Sequence, residues 1–206
     1  AEDVDAGDLA AAARTAGDGA SARPAPSLLA VAQDRAREKA WLDARAGHAA
    51  PWRVAESPAA LAAAIDELLA AEAMGSGEGA IGLAAGCVVK PQLRRAGAPR
   101  PVHVTSPADA PAIWAQLGGA SCVVERAVAI ETELVALVAR TPRGAMAMHP
   151  VAQTVREGTQ PVTHLLPAPV HPSIARKAQR TAAFYAGKLA VEGLLAVELF
   201  VLTDGR

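Results

Sequence analysis

Aromatic side chains make up only 3% of this 206-residue chain, and it has just two cysteines. Two thiols cannot staple a scaffold of this length. Cys87 and Cys122 each sit in an apolar, strand-like run (Cys87-Val88-Val89 and Cys122-Val123-Val124), which points to buried thiols in a reducing cytoplasm. Charge of one sign is missing as well: 20 basic residues stand against 21 acidic ones, a net charge of −1. Such a balance leaves no electrostatic footprint for nucleic acid or an anionic membrane. There is no run of 18 apolar residues and no signal peptide, so no transmembrane segment is expected. Also absent are a catalytic triad, a metal-spaced Cys/His set and a Walker-type loop, and no catalytic residue stands out. The five histidines are scattered, and His103, alternating with Val102 and Val104, reads as a rim or packed residue.

What is present is an apolar share of 51%, dominated by alanine. The length suffices for one large domain or two small ones with a real core. Alanine blurs every periodicity, yet elements emerge. Residues 1–26 are acidic and then Ala/Gly/Pro-rich, a short helix followed by a linker. Ser27 can cap one helix running through "LLAVAQDRAREKAWLDARAG" to a stop at Gly47. Ser57-Pro58 opens a second, with Leu61, Ile65, Leu68 and Leu69 on one face. "GSGEGAIGLAAG" (75–86) reads as a loop, followed by strands at 87–90, 101–105 and 121–125 and a helix from Ser106 to about Leu117. "ETELVALVAR", "TPRG" and "AMAMHPVAQTV" form a strand, a turn and a strand. A helix from Pro172 carries Ile174, Ala178, Tyr185 and Leu189, and a last strand follows Gly193. Interleaved strands and helices make the class α+β.

Four residues raise chemical questions. Glu198 interrupts the closing strand "GLLAVELFVL". A strand apolar on both faces is expected to be buried on both, where a lone carboxylate is costly. It is therefore either ion-paired with a nearby Arg or Lys, or a ligand for Mg²⁺, which takes hard carboxylate oxygens and bridges to phosphates. Lys90 closes the strand "CVVK". It is either a solvated edge charge or a phosphate ligand on a fixed scaffold. In "VVERAVAIETEL", Glu125 and Glu133 flank a strand crossover, where carboxylates can accept from an adenine amino group and ribose hydroxyls.

Taken in order, these stretches resemble the ATP-grasp ligases, and within them the 5-(carboxyamino)imidazole ribonucleotide synthases of purine (IMP) biosynthesis. "LAVAQDRAREKAWL" is similar to that family's entry helix, "CVVK" to its lysine strand, "CVVERAVAIETELVALVAR" with "HPVAQTV" to its adenine-hinge strand and hairpin. "GLLAVELFVLTDGR" is similar to the strand carrying its magnesium-binding glutamate. The resemblance implies an ATP-grasp fold, two α+β subdomains sandwiching ATP, with residues 1–26 as the end of a preceding domain or linker, 27–120 as the first subdomain and 121–206 as the second. It implies ATP and Mg²⁺ as cofactors, bicarbonate and aminoimidazole ribonucleotide as substrates, a carboxyphosphate intermediate, and a homodimer. By position, Arg35 and Lys90 would touch phosphates. Glu125, Arg126, Ala127 and Val128 would form the adenine hinge, Glu133 would hold the ribose, and Glu198 would ligate magnesium.

Departures accompany the likeness. Where the family closes Gly-Gly-Tyr-Asp-Gly-Lys/Arg-Gly-Gln over the phosphates, this chain reads Arg94-Arg95-Ala96-Gly97-Ala98-Pro99-Arg100-Pro101. Two prolines remove amide donors, so this loop would offer Arg95, Gly97 and Arg100 instead of the same amide cradle. Arg156 stands where the family usually has His or Gln. The chain opens on Ala and stops before the family's Asn-Glu-Leu-Ala strand, which bears the second magnesium carboxylate, so a segment of a longer parent is expected. Two other readings stand beside the ligase: a noncatalytic remnant that binds nucleotide weakly or only packs, and another ATP-grasp ligase such as a biotin-carboxylase-like enzyme.

Overall fold

Alternation of apolar residues along the strands builds two antiparallel sheets, each with one face under helices. The structure, a computed structural model, describes residues 11, 23–45, 49–74, 83–157 and 160–205. The expected features at 1–10 and 12–22, at Gly47 and at 75–82 lie outside the described residues. Two compact units result, dividing between Ala129 and Ile130, with residues 23–28 grouped with the second. This moves the boundary expected after residue 120. The strand there pairs on both edges within the first sheet, so it cannot open the second unit.

The first unit holds β1 (Trp52–Ala55), β2 (Leu83–Pro91), β3 (Val102–Val104) and β4 (Cys122–Val128), in the order β1-β4-β2-β3. Ala55, Cys87, Val89, Val104, Cys122 and Val124 fill one face. Against them lie Leu61, Ile65 and Leu68 of a helix at Pro58–Met74, and Ile113 of a shorter one at Ala110–Gln116. Complete burial of Leu61 and Ile65 contributes about 1.5–3 kcal/mol each. The longer helix starts as its sequence dictates: Pro58 fills the first turn, and the Ser57 hydroxyl accepts from the Ala60 amide at 3.1 Å.

The entry helix departs from expectation. It is two helices, α1 (Pro26–Gln33) and α2 (Arg35–Asp43), and Ser27 lies inside the first turn of α1. Asp34 between them is extended, with φ −115° and ψ 109°, and its carboxylate accepts from the amides of Ala36 and Arg37 at 2.9 and 3.2 Å. The break is a docking joint. Asp34 forms a β-bridge with Leu93, the Arg35 amide donates to the Gln92 carbonyl, and Gln92 returns its side-chain amide to Asp34. Local propensity favours one helix, but the bridge supplies bonds that a continuous helix could not make.

In the second unit β5 (Ile130–Arg140) is the hub. β9 (Gly193–Leu202) pairs along its whole length, while β6 (Met146–Met148) and β7 (Ala152–Glu157) pair with successive parts of it, and β8 (Gln160–Leu165) pairs with β7. The expected hairpin forms around Thr141–Gly144, where the Gly144 amide reaches the Thr141 carbonyl at 2.9 Å. Its returning strand is interrupted at His149-Pro150, where proline has no amide for the ladder. A helix at Pro172–Lys188 lays Ala178, Ala182 and Ala186 against Leu134, Ala136 and Val138.

Candidate functional site

In the first unit, the face of β2 and β4 opposite the core carries the predicted chemistry. Glu125 pairs in register with Val88, and Lys90 with Val123, so Glu125 and Lys90 share that face two residues apart along the ladder. The Lys90 ammonium lies 3.0 Å from one Glu125 carboxylate oxygen, and Lys39 of α2 lies 3.1 Å from the other. Burial pushes the Glu125 carboxyl up, but Lys90 and then Lys39 outweigh it and hold the group below the usual carboxylate range. Glu125 is thus an ionised carboxylate bridging two cations. Lys39, at 8% exposure, is a site residue that sequence reasoning passed over, since a lysine within a charged helix carries no motif.

Other expected contacts distribute unevenly. Arg35 faces the same joint, donating to the Pro91 carbonyl at 2.7 Å. Arg126 turns away: it is 2% exposed and donates to the carbonyls of Ala84 and Gly86, so its guanidinium is committed to the interior. Ala127 is buried and Val128 half-buried at the end of β4. Arg95, Gly97 and Arg100 lie exposed on the loop between β2 and β3, where Gly97 takes φ +72°. His103, on the edge strand β3, bonds the Ala85 carbonyl at 2.7 Å and is a rim residue.

In the second unit the uncovered sheet face gathers the rest. Pairing of Glu133 with Phe200 and of Val135 with Glu198 puts both glutamates on it. Arg156 Nε donates to Glu133 Oε2 at 2.6 Å, so the carboxylate expected to hold ribose is already clamped. Glu198 is exposed and, among the described residues, has no ion-pair partner. This overturns the expectation that β9 is buried on both faces. Leu195, Val197, Leu199 and Val201 meet the core, whereas Leu194 and Phe200 are 65% and 48% exposed. An exposed carboxylate needs no ion pair. It is a hard-oxygen donor of the kind magnesium uses, one or two per ion alongside phosphate oxygens. Among the described residues there is no group of three or more His, Cys, Asp or Glu side chains able to hold a metal by themselves. None of the described helices is long and apolar enough to cross a membrane.

Known proteins share this arrangement of strands. N5-carboxyaminoimidazole ribonucleotide synthase of Mycobacterium tuberculosis is 48% identical over 88 residues, covering 42% of this chain and 20% of that protein. The enzyme of the same name from Brucella melitensis is 29% identical over 183 residues, 88% of this chain and 47% of that one. The chain therefore spans less than half the length of these relatives. An N5-carboxyaminoimidazole ribonucleotide synthetase solved as its ADP complex superposes with a TM-score of 0.75 at 25% identity, over 88% of this chain and 44% of that chain. The ATP-grasp domain matches residues 51–206, from the approach to β1 through β9, and by that match the chain belongs to the ATP-grasp family.

Proposed function

We propose that this chain binds ATP with magnesium as the nucleotide-handling segment of an N5-carboxyaminoimidazole ribonucleotide synthase, which carboxylates 5-aminoimidazole ribonucleotide with bicarbonate at the expense of ATP. The observation that carries the reading is Lys90, the most exposed member of its ion cluster, held by Glu125 on the sheet face opposite the core within the region matched to the ATP-grasp domain. Its pairing leaves ammonium donors for a phosphate oxygen, and a charge fixed in place before the ligand arrives stabilises a transferring phosphoryl group without reorganisation. On this reading the backbone of Glu125 to Val128 receives the adenine, Glu133 accepts a ribose hydroxyl, and Arg35, Arg95, Arg100 and Arg156 add positive charge. Glu198 would give magnesium one carboxylate, and the bound ion would neutralise phosphate charge during transfer.

A second reading, nucleotide binding without turnover, is favoured by the loop between β2 and β3. Pro99 and Pro101 offer no amide there, and Arg95 and Arg100 are exposed. A loop of arginines binds phosphate but closes less well over a water-labile intermediate.

Calorimetric titration with a nonhydrolysable ATP analogue, with and without Mg²⁺, tests nucleotide binding. Tighter binding with magnesium supports both readings, and absence of binding removes both. ADP release that requires aminoimidazole ribonucleotide and bicarbonate then separates the ligase from the binder.

A further inference from the structure

One carboxylate between two lysines leaves an unbalanced positive charge. The side chains concerned are largely withdrawn from water: Lys39 is 10% exposed and Glu125 13%, while Lys90, at 25%, is the most open of the three. A structural ion pair needs only one lysine, and burying a second ammonium costs desolvation free energy that half a carboxylate does not fully return. The fold nevertheless fixes Lys39 firmly. It stands one turn into α2, whose first turn is tied to the end of β2 by the Arg35 amide on the Gln92 carbonyl at 2.9 Å and by the Gln92 side chain on Asp34 at 3.1 Å. The same β2 ending carries Lys90, so one joint sets the positions of both ammonium groups.

We propose that Lys39 is a positioning residue for phosphate recognition by Lys90, acting through Glu125. Lys39 occupies one carboxylate oxygen and shares the anion's charge. Glu125 then anchors the Lys90 ammonium through the other oxygen without cancelling it. The inference rests on the nucleotide-binding reading above and adds to it a division of labour: Lys90 meets phosphate, Glu125 aims it, and Lys39 keeps the pair net positive. With both oxygens engaged, Glu125 orients a lysine and does not accept from adenine through its side chain.

The test compares the unchanged chain with K39M, K39R and K90M, titrating each with a nonhydrolysable ATP analogue and with adenosine, which has no phosphate. K39M should weaken the analogue by about tenfold, as expected for a lost charge-assisted contact, and leave adenosine within about twofold. K39R, which restores the charge, should recover most of the loss. Equal weakening of both ligands in K39M would reveal a merely structural role and overturn the proposal. So would an unaltered analogue affinity in K39M beside a weakened one in K90M, which leaves the nucleotide reading intact. An unaltered affinity in K90M would overturn that reading and the proposal together. If K39M does not fold, K39Q keeps a donor to Glu125 without the charge and carries the same expectations.

Discussion

Glu133 and Glu198 are diagonal neighbours on one sheet face, because Glu133 stands opposite Phe200 while Glu198 stands opposite Val135. Side chains in that relation are about 7–8 Å apart at their roots, close enough to repel and to share a cation. Arg156 relieves the repulsion by bonding Glu133. Its removal should therefore raise the appetite of this face for a divalent ion. We expect R156Q to enlarge the gain in ATP-analogue affinity that Mg²⁺ brings, relative to the same variant without the metal, by about two- to fivefold, the worth of an exposed pair, and E198Q to abolish the magnesium effect. Calorimetry with and without the metal distinguishes these outcomes.

Acid should weaken the first unit through Glu125. Burial raises its pKa, and the two lysines lower it further than burial raises it, so the folded value lies below the unfolded one. A depressed carboxyl contributes stability that is present above the unfolded pKa and lost as pH falls through the folded one. The difference in melting temperature between the unchanged chain and E125Q should be largest near neutrality and should shrink below about pH 4.5, the ordinary glutamate value. Circular dichroism melts across that range provide the measurement. A gap that stays constant with pH would show that the carboxylate's charge contributes nothing.

Gly86 and Gly97 both have positive φ, +89° and +72°, but only the first is crowded. A Cβ on Gly86 would lie 2.5 Å from the Val104 carbonyl oxygen and 2.8 Å from the His103 ring, beside β3 and at the point where β2 shifts register against β4. Gly86→Ala should destabilise by about 2–4 kcal/mol, strain and clash together. Gly97→Ala, with nothing within 4 Å, should cost only the backbone term of about 1–2 kcal/mol. Denaturant midpoints of the two variants rank the effects directly.

Neither thiol is accessible. Cys87 and Cys122 are fully buried, and burial pushes Cys122 up to about 11. Since the thiolate is the reactive species, labelling with a thiol reagent at pH 8 should proceed only as fast as the first unit opens. It should become complete in denaturant. Rapid modification of the native chain would contradict the packing described for β2 and β4.

The parts readable from the sequence were those with a local cause. Pro58 after Ser57, the leucine and isoleucine spacing behind it, and the Thr141–Gly144 turn act over a few residues, and the structure keeps each. Where distant partners decide, the reading failed. Nothing near Asp34 interrupts a helix; Leu93 does. β1 is four residues long and contains an arginine, so its pairing with β4 left no pattern to find. In β9 an apolar residue occupies nearly every position, so composition could not tell the covered face from the open one. The site followed the same rule: Lys90, Glu125, Glu133 and Glu198 stood out as polar breaks in apolar strands, while Lys39 merged into a polar helix.

The pairing of β5 with β9 along its full length also dictates a timetable. The strands of the first sheet are all made before β5 begins, so that unit can close during synthesis while the second is still incomplete. The hub strand then emerges with β6 and β7 arriving promptly on one edge, but its other edge must wait for Gly193–Leu202. A contact between segments so far apart is slow to form, and an unpaired apolar strand edge is a template for misassociation. The growing chain is thus most vulnerable over the interval from Arg140 to Gly193, when the second unit has its centre but not its final neighbour.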